Sequence, residues 1–394
     1  MSQTARGDDV FAGLLGQDPV ADQLRRAAVD ARAGLSGDPA PTMTHAWLFT
    51  GPPGSGRSVA ARAFAAALQC PDAGCGRCRS CRTALHGTHP DVELVTPEGL
   101  HLTIREAREI VARASRAPSL GRFQVTVIED LDRMEERTSN TLLRAIEEPP
   151  ARGVFLLCAP SVADVPATIR SRCRLVALRL PTADAIADHL IREEGVSPAL
   201  AHFAASAAGG HVGRARRLAM DEDARRRRRE VLDSVVGLTS VPACLAAAAR
   251  LVAAADEEAA AVTAERDDAE TEALARALGA TPGERRPRGT AESFRELERS
   301  QRSRATRAKR DALDRALGDL AALYRDVLAA QLGAGDVDRA CPDVPDRVRA
   351  MAEAGTAEDT LRRLDALLAT RSAIDANVAP VLAVERLMLT LRAG

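Results

Sequence analysis

Residues 51–58 read Gly-Pro-Pro-Gly-Ser-Gly-Arg-Ser, a spacing that suits an anion cradle. Gly51, Gly54 and Gly56 let the backbone turn its N–H groups inward, and Pro52, Pro53 and Ser55 complete the loop between them. Ser58 stands where a hydroxyl can take a place on Mg²⁺, and Arg57 stands where phosphate-cleaving loops use lysine. That exchange is not conservative, because a planar guanidinium replaces a compact ammonium at a tightly shaped site. Two readings of Arg57 stand. Among 54 lysines and arginines Lys309 is the single lysine, so Arg57 is either drift that still clamps phosphate or the loss of a catalytic group.

A second group is Cys70, Cys75, Cys78 and Cys81, spaced C-x4-C-x2-C-x2-C. In a reducing compartment four thiolates so placed suit a tetrahedral, structural zinc ion, with Gly74 and Gly76 permitting the tight turns. The alternative is four unligated surface thiols. Cys158, Cys173, Cys244 and Cys341 are scattered and read as small buried or half-buried residues. A third group is Glu129-Asp130, which ends the apolar run Phe123–Ile128. A carboxylate pair one strand beyond a phosphate loop is where Mg²⁺ and an attacking water would be managed. Two acids merely capping a strand end are the bland alternative.

These groups need a scaffold, and the flanking patterns supply one. Ala46–Thr50 reads as a buried strand leading into the loop, and Val59–Leu68 as a helix leaving it. Asp91–Val95, Phe123–Ile128, Val154–Cys158 and Leu175–Leu180 read as further strands, with helices over Thr103–Ser115 and Thr138–Glu148, the latter stopped by Pro149-Pro150. Alternating strands and helices predict a parallel sheet covered on both faces. The expected fold class is therefore α/β over 1–180, followed by a small helical domain over 181–222 and an all-α domain over 223–394. Gly209-Gly210 and Gly213 are expected to break the small domain's helices. The five arginines 225–229 read as a solvated helix face, with nucleic-acid contact as the alternative. A polar break is expected around 281–290, and helix resumes from about Phe294 to Leu332.

Composition sets limits on partners and compartment. The formal net charge of −1 gives no global pull toward nucleic acid, and 46% hydrophobic content with 2% aromatics favours closely packed Ala/Leu helices. The polar N-terminus lacks the apolar core of a signal peptide, and no apolar run is long enough to span a bilayer. A cytoplasmic protein without membrane contact is expected.

The chain resembles the clamp-loader branch of the AAA+ ATPases, and within it the delta-prime family of bacterial DNA polymerase III subunits. The resemblance rests on Gly13-Leu14-Leu15-Gly16-Gln17, the phosphate loop, the four-cysteine insert, the strand ending in Glu129-Asp130, Leu142–Pro150 (LLRAIEEPP) and Ser171-Arg172-Cys173. It covers residues 10–220 at the level of motifs. It implies an AAA+ domain, a helical lid and a C-terminal collar that holds a hetero-oligomeric ring with gamma/tau and delta subunits. That ring opens a sliding clamp and places it on primed DNA. It further implies that Arg172 acts in trans as an arginine finger on a neighbour's ATP, with a strand-edge salt bridge as the alternative, and that residues 51–58 with Glu129 and Asp130 handle nucleotide and Mg²⁺.

The departures from hydrolysing members point to a subunit of the polymerase holoenzyme with no polymerase activity and little or no ATPase of its own. Arg57 replaces the lysine. The acidic pair runs Glu-Asp where hydrolysing members have Asp-Glu. Ala159 and Pro160 stand where those members sense the γ-phosphate, and Gly213 stands where they carry a lid arginine, leaving Arg214 about 100° further around a helix. Whether nucleotide binds at 51–58 stays open. The competing expectations are an active gamma/tau-type ATPase, disfavoured by those residues, and a zinc-dependent nucleic-acid binder using Arg77, Arg79 and Arg82, whose insert lacks stacking aromatics.

Overall fold

The computed structural model describes residues 9–97, 102–134, 136–278, 290–334 and 339–393. These form two compact units, one running to Ala205 and including Gly210–Arg216, the other taking Ser206–Gly209 and everything from Arg217 onward.

In the first unit, helix α1 (Asp18–Leu35) precedes strand β1 (Ala46–Thr50), and the phosphate loop leads into α2 (Arg57–Gln69). A short α3 (Arg79–Leu85) follows the cysteine insert, then β2 (Val92–Val95), α4 (Ile104–Ala114), β3 (Gln124–Ile128), α5 (Glu136–Glu147), β4 (Gly153–Ala159), α6 (Ala167–Arg170) and β5 (Arg174–Ala177). The five strands are parallel in the order β2-β3-β4-β1-β5. Strands covered on both faces read as unbroken apolar runs, and β1, β3 and β4 are buried at every position. The two-residue period sends Trp47, Phe49, Val125, Val127, Leu156 and Cys158 to the core under α1 and α2. Ala46, Leu48, Ile128, Phe155 and Leu157 go to the opposite core under α4 and α5. The expected strands and helices of 46–180 are thus present, with ends shifted by a few residues. Helix α4 starts with a full capping box between Thr103 and Glu106.

Helices α7 (Ala183–Glu194), α8 (Pro198–Ala208) and α9 (Val212–Met220) follow. Gly209 and Gly210, both at positive φ, separate α8 from α9 as expected. Gly213 does not break a helix. It lies in the first turn of α9, where glycine costs less than in a helix interior.

The second unit continues with α10 (Glu222–Asp233), α11 (Val241–Ala277), α12 (Ala291–Gln331), α13 (Pro345–Ala354), α14 (Ala357–Asp375) and α15 (Pro380–Ala393). The expected break around 281–290 lies, apart from Thr290, outside the described residues. Cys244, Leu251, Leu313, Leu317, Leu320, Leu367, Leu387 and Met388 form its main core. Farther along the α11–α12 pair, Arg304 is clamped between Asp267 (2.7 Å) and Glu270 (2.8 Å).

The five-arginine run is not one solvated face. Arg228 is buried, 2% exposed at its side chain, and pairs with Asp319 (3.1 Å) and Asp343 (3.2 Å). Arg225 donates to the carbonyls of Leu218 and Ala219, Arg226 pairs with Asp223, and Arg227 reaches Asp221.

Candidate nucleotide and trans-acting sites

The loop takes the strand–loop–helix form that its sequence requires. Gly54 (φ 91°) and Gly56 (φ 86°) are left-handed, and Gly56 caps α2. A Cβ on Gly54 would come within 2.7 Å of the His211 backbone, so glycine also allows the chain ahead of α9 to approach. The amide of Gly51 donates to the Pro160 carbonyl at 3.2 Å, which ties the loop to the end of β4. Ser55 is buried, whereas Pro52 and Pro53 are exposed and Ser58 is half-buried at the start of α2.

A cleft of about 360 Å³ lies over the loop. Its walls are Gly13–Leu15 on one side, Pro53–Val59 below, and Pro181 with His211–Gly213 opposite. The Gly13–Gln17 segment is fixed by Gln17, whose side-chain amide donates to the Arg179 carbonyl and accepts from the Arg179 N–H. Gly213 lines this cleft and brings no side chain to it; Arg214 is not part of the wall.

Arg57 folds back on the loop and donates from Nη1 to the carbonyl of Gly51. Glu129, which sequence reasoning assigned to Mg²⁺, is engaged by protein groups on both oxygens. Arg62 of α2 reaches Oε1 at 2.7 Å, and Thr96 donates to Oε2 at 3.2 Å. Asp130 takes a left-handed backbone (φ 50°), which aspartate tolerates better than most residues, and faces Arg133 at 3.7 Å. Ala159 is fully buried and, with Pro160, offers no side-chain hydrogen bond at the β4 end. Arg62 went unnoticed in the sequence, though a signal existed. It is a lone charge within Ala60–Leu68, an otherwise buried apolar stretch, and such a charge needs a partner.

The four knuckle sulfurs lie within 4.8 Å of one another, with Cys70 and Cys78 3.8 Å apart. Four thiolates about 2.3 Å from one zinc ion sit about 3.8 Å from each other, so these residues fit a tetrahedral site. Burial works against the Cys75 thiolate, yet the N–H groups of Cys78 and Arg77 bring its pKa down to about 7. Burial pushes the thiols of Cys78 and Cys81 up. The knuckle is seated on the N-terminal segment: Val10 donates to the Gly74 carbonyl at 3.0 Å, and a side chain at Gly74 would strike Val10. The remaining cysteines, 158, 244 and 341, are buried as expected, and Cys173 is half-buried.

Arg172 lies between α6 and β5, is not part of the cleft wall, and is exposed. Its Nη2 pairs with Glu147 at 2.6 Å, and its Nη1 donates to the Thr168 carbonyl (2.8 Å) and to the Ser171 hydroxyl (3.2 Å). Glu147 ends α5 just before Pro149-Pro150, so the LLRAIEEPP segment and the Ser-Arg-Cys triplet meet through this ion pair.

No described helix is long and apolar enough to cross a membrane. The family described as DNA polymerase III, delta subunit, matches residues 39–182. The DNA polymerase III subunit delta' of Pseudomonas aeruginosa is 35% identical over 161 residues, 39% of this chain and 49% of that protein. The delta' subunit of Bacillus subtilis is 31% identical over 167 residues, 42% of this chain and 50% of that protein. The tau/gamma subunit of Haemophilus influenzae is 30% identical over 210 residues, 50% of this chain and 29% of that protein. The chain spans half or less of the length of these relatives. Residues 39–182, which hold the loop, the knuckle and Arg172, are thus the part of the chain that is similar to DNA polymerase III subunits.

Proposed function

We propose that this chain is a delta-prime-type stator of the ATP-dependent sliding-clamp loader of DNA replication. Its own nucleotide site is weak or silent, and it lends Arg172 to the ATP held by an adjacent gamma/tau-type subunit. Delta and gamma/tau subunits complete the ring, and the clamp and primed DNA are met through the complex. Residues 1–180 serve as the AAA+ domain, 181–222 as its lid, and 223–394 as the collar that joins the ring. Cys70, Cys75, Cys78 and Cys81 hold a structural zinc ion, which clamps the knuckle without taking part in the chemistry.

The observation that carries this reading is the engagement of the loop's own charged groups. Arg57 is turned onto the Gly51 carbonyl, and Glu129 is neutralised by Arg62. Metal-assisted phosphoryl transfer needs a cation aimed at the terminal phosphate and a carboxylate free for Mg²⁺. Ala159, Pro160 and Gly213 remove the remaining sensing groups. The purified chain should hydrolyse ATP no faster than background, while a reconstituted loader containing it turns over. Brisk hydrolysis by the chain alone, abolished by Ser58→Ala, overturns the reading.

A second reading, nucleotide binding without hydrolysis, is favoured by the open cleft of about 360 Å³ above an intact glycine loop. Titration with a fluorescent ATP analogue, run beside a zinc assay, separates a binding subunit from a silent one. The similarity to a tau/gamma subunit keeps an active motor as the alternative, which the hydrolysis assay tests.

A further inference from the structure

The Arg172–Glu147 pair says how a finger acting in trans is kept ready. We infer that Glu147 is the positioning residue for Arg172, holding its guanidinium at the end of α6 in the orientation in which it meets a neighbour's terminal phosphate. The inference rests on the stator reading above.

Glu147, the Thr168 carbonyl and the Ser171 hydroxyl occupy donors of both terminal nitrogens. The Nε–H and one Nη2 hydrogen have no acceptor among the described residues, so the fork keeps donors for an incoming anion. The anchors come from three directions: the end of α5, the body of α6, and the residue before Arg172. A long side chain otherwise samples many rotamers, and ordering it only when phosphate arrives would slow the chemical step. The pair is also easy to loosen. Arg172 and Glu147 are 40% and 43% exposed at their side chains, and ion pairs this open hold weakly, so Glu147 steadies the arginine without sequestering it. The position of Glu147 is fixed in turn, because Pro149-Pro150 ends α5 immediately beyond it.

The test uses the full chain in a reconstituted loader, with ATP turnover at the adjacent subunit as the readout. Glu147→Ala should lower kcat about tenfold with little change in KM for ATP, since the arginine acts on charge that develops in the transition state. Glu147→Gln, which retains an acceptor, should recover most of the rate. In an Arg172→Ala background, Glu147→Ala should have no further effect. An unchanged rate in Glu147→Ala beside a depressed rate in Arg172→Ala overturns the positioning role and leaves the stator reading intact. Additive losses in the double variant also overturn it, because they mark a general packing defect. An Arg172→Ala loader with normal turnover defeats the stator reading itself.

Discussion

Arg57 and Arg172 carry the same guanidinium within one α/β unit, and their surroundings use it in opposite ways. Arg57 opens α2 at the phosphate loop and turns inward, donating to the carbonyl of Gly51 in that loop. Arg172 follows α6, is 40% exposed, and keeps donors open while Glu147 and the α6 backbone steady it. The contrast recurs in the helical unit. Arg226 pairs on the surface with Asp223, whereas Arg228, two residues on, is sealed between Asp319 and Asp343. In a chain with a single lysine, residue type separates none of these roles; burial and the nearest acceptor do.

The largest expected effect concerns Arg172. In a reconstituted loader whose other ATP sites are disabled, Arg172→Ala should slow hydrolysis at the adjacent site by about 10³-fold, the lower end for a trans arginine on a transferring phosphoryl group. The same substitution should leave the chain's own folding stability nearly unchanged, because an exposed ion pair contributes about 1 kcal/mol or less. An unchanged hydrolysis rate would erase the difference between the two arginines.

Arg228 tests the other half of the contrast. Removing it takes the shared cation from the buried Asp319 and the half-buried Asp343, and a donor from the Ala340 carbonyl and the Cys341 sulfur. Breaking such a pair costs about 3–5 kcal/mol, so Arg228→Ala should strongly shift the urea midpoint of the helical unit. Arg226→Ala should cost less than about 0.5 kcal/mol. Equal midpoints for the two variants would show that the run is the uniform surface face it resembles in sequence.

Asp91 extends the comparison to an anion. Burial favours its neutral form, but the N–H groups of Ser119, Gly121 and Leu120 and the Ser119 hydroxyl outweigh burial and hold its pKa below the usual carboxylate value. A lowered folded-state pKa stabilises the fold above the unfolded value of about 3.9, and that contribution fades as pH falls through the folded one. Asp91→Ala should cost about 2 kcal/mol near neutral pH by stranding those donors. The gap between wild type and Asp91→Asn should hold steady above about pH 5 and shrink in more acidic solution. A gap that widens on acidification would reverse the sign.

What the sequence revealed follows from the same physics. Strands β1, β3 and β4 were legible because both faces are covered, which forces continuous apolar runs. The cysteine cluster was legible because four thiols at short spacing within twelve residues are brought together by local sequence alone. The ion pairs were not. Arg62–Glu129 and Arg172–Glu147 join elements that only the fold brings together, and neither arginine's partner is encoded nearby. Arg228 was hidden for a geometric reason. A helix turns about 100° per residue, so adjacent arginines face different directions and a run of like residues spans both core and solvent. The two Glu129 contacts are equally hidden in the sequence, where Glu129 reads either as a residue for Mg²⁺ or as an acid capping a strand end.

The smallest effect, and the sharpest test of the silence proposed for the phosphate-loop site, is Arg57→Lys. Lysine would restore the residue that phosphate-cleaving loops use and would release the Gly51 carbonyl from its guanidinium partner. Nucleotide affinity should rise by only a few-fold, because the loop amides already supply most of the anion cradle. Hydrolysis by the isolated variant should stay at background. A lysine ammonium at position 57 cannot replace the absent hydrogen-bonding groups at Ala159 and Pro160 or the missing lid side chain at Gly213. It also leaves Glu129 paired with Arg62 and Thr96, so the carboxylate stays committed to protein groups. Measurable turnover in Arg57→Lys would reduce the whole difference between the two arginines to one substitution, and would place the remaining departures among neutral drift.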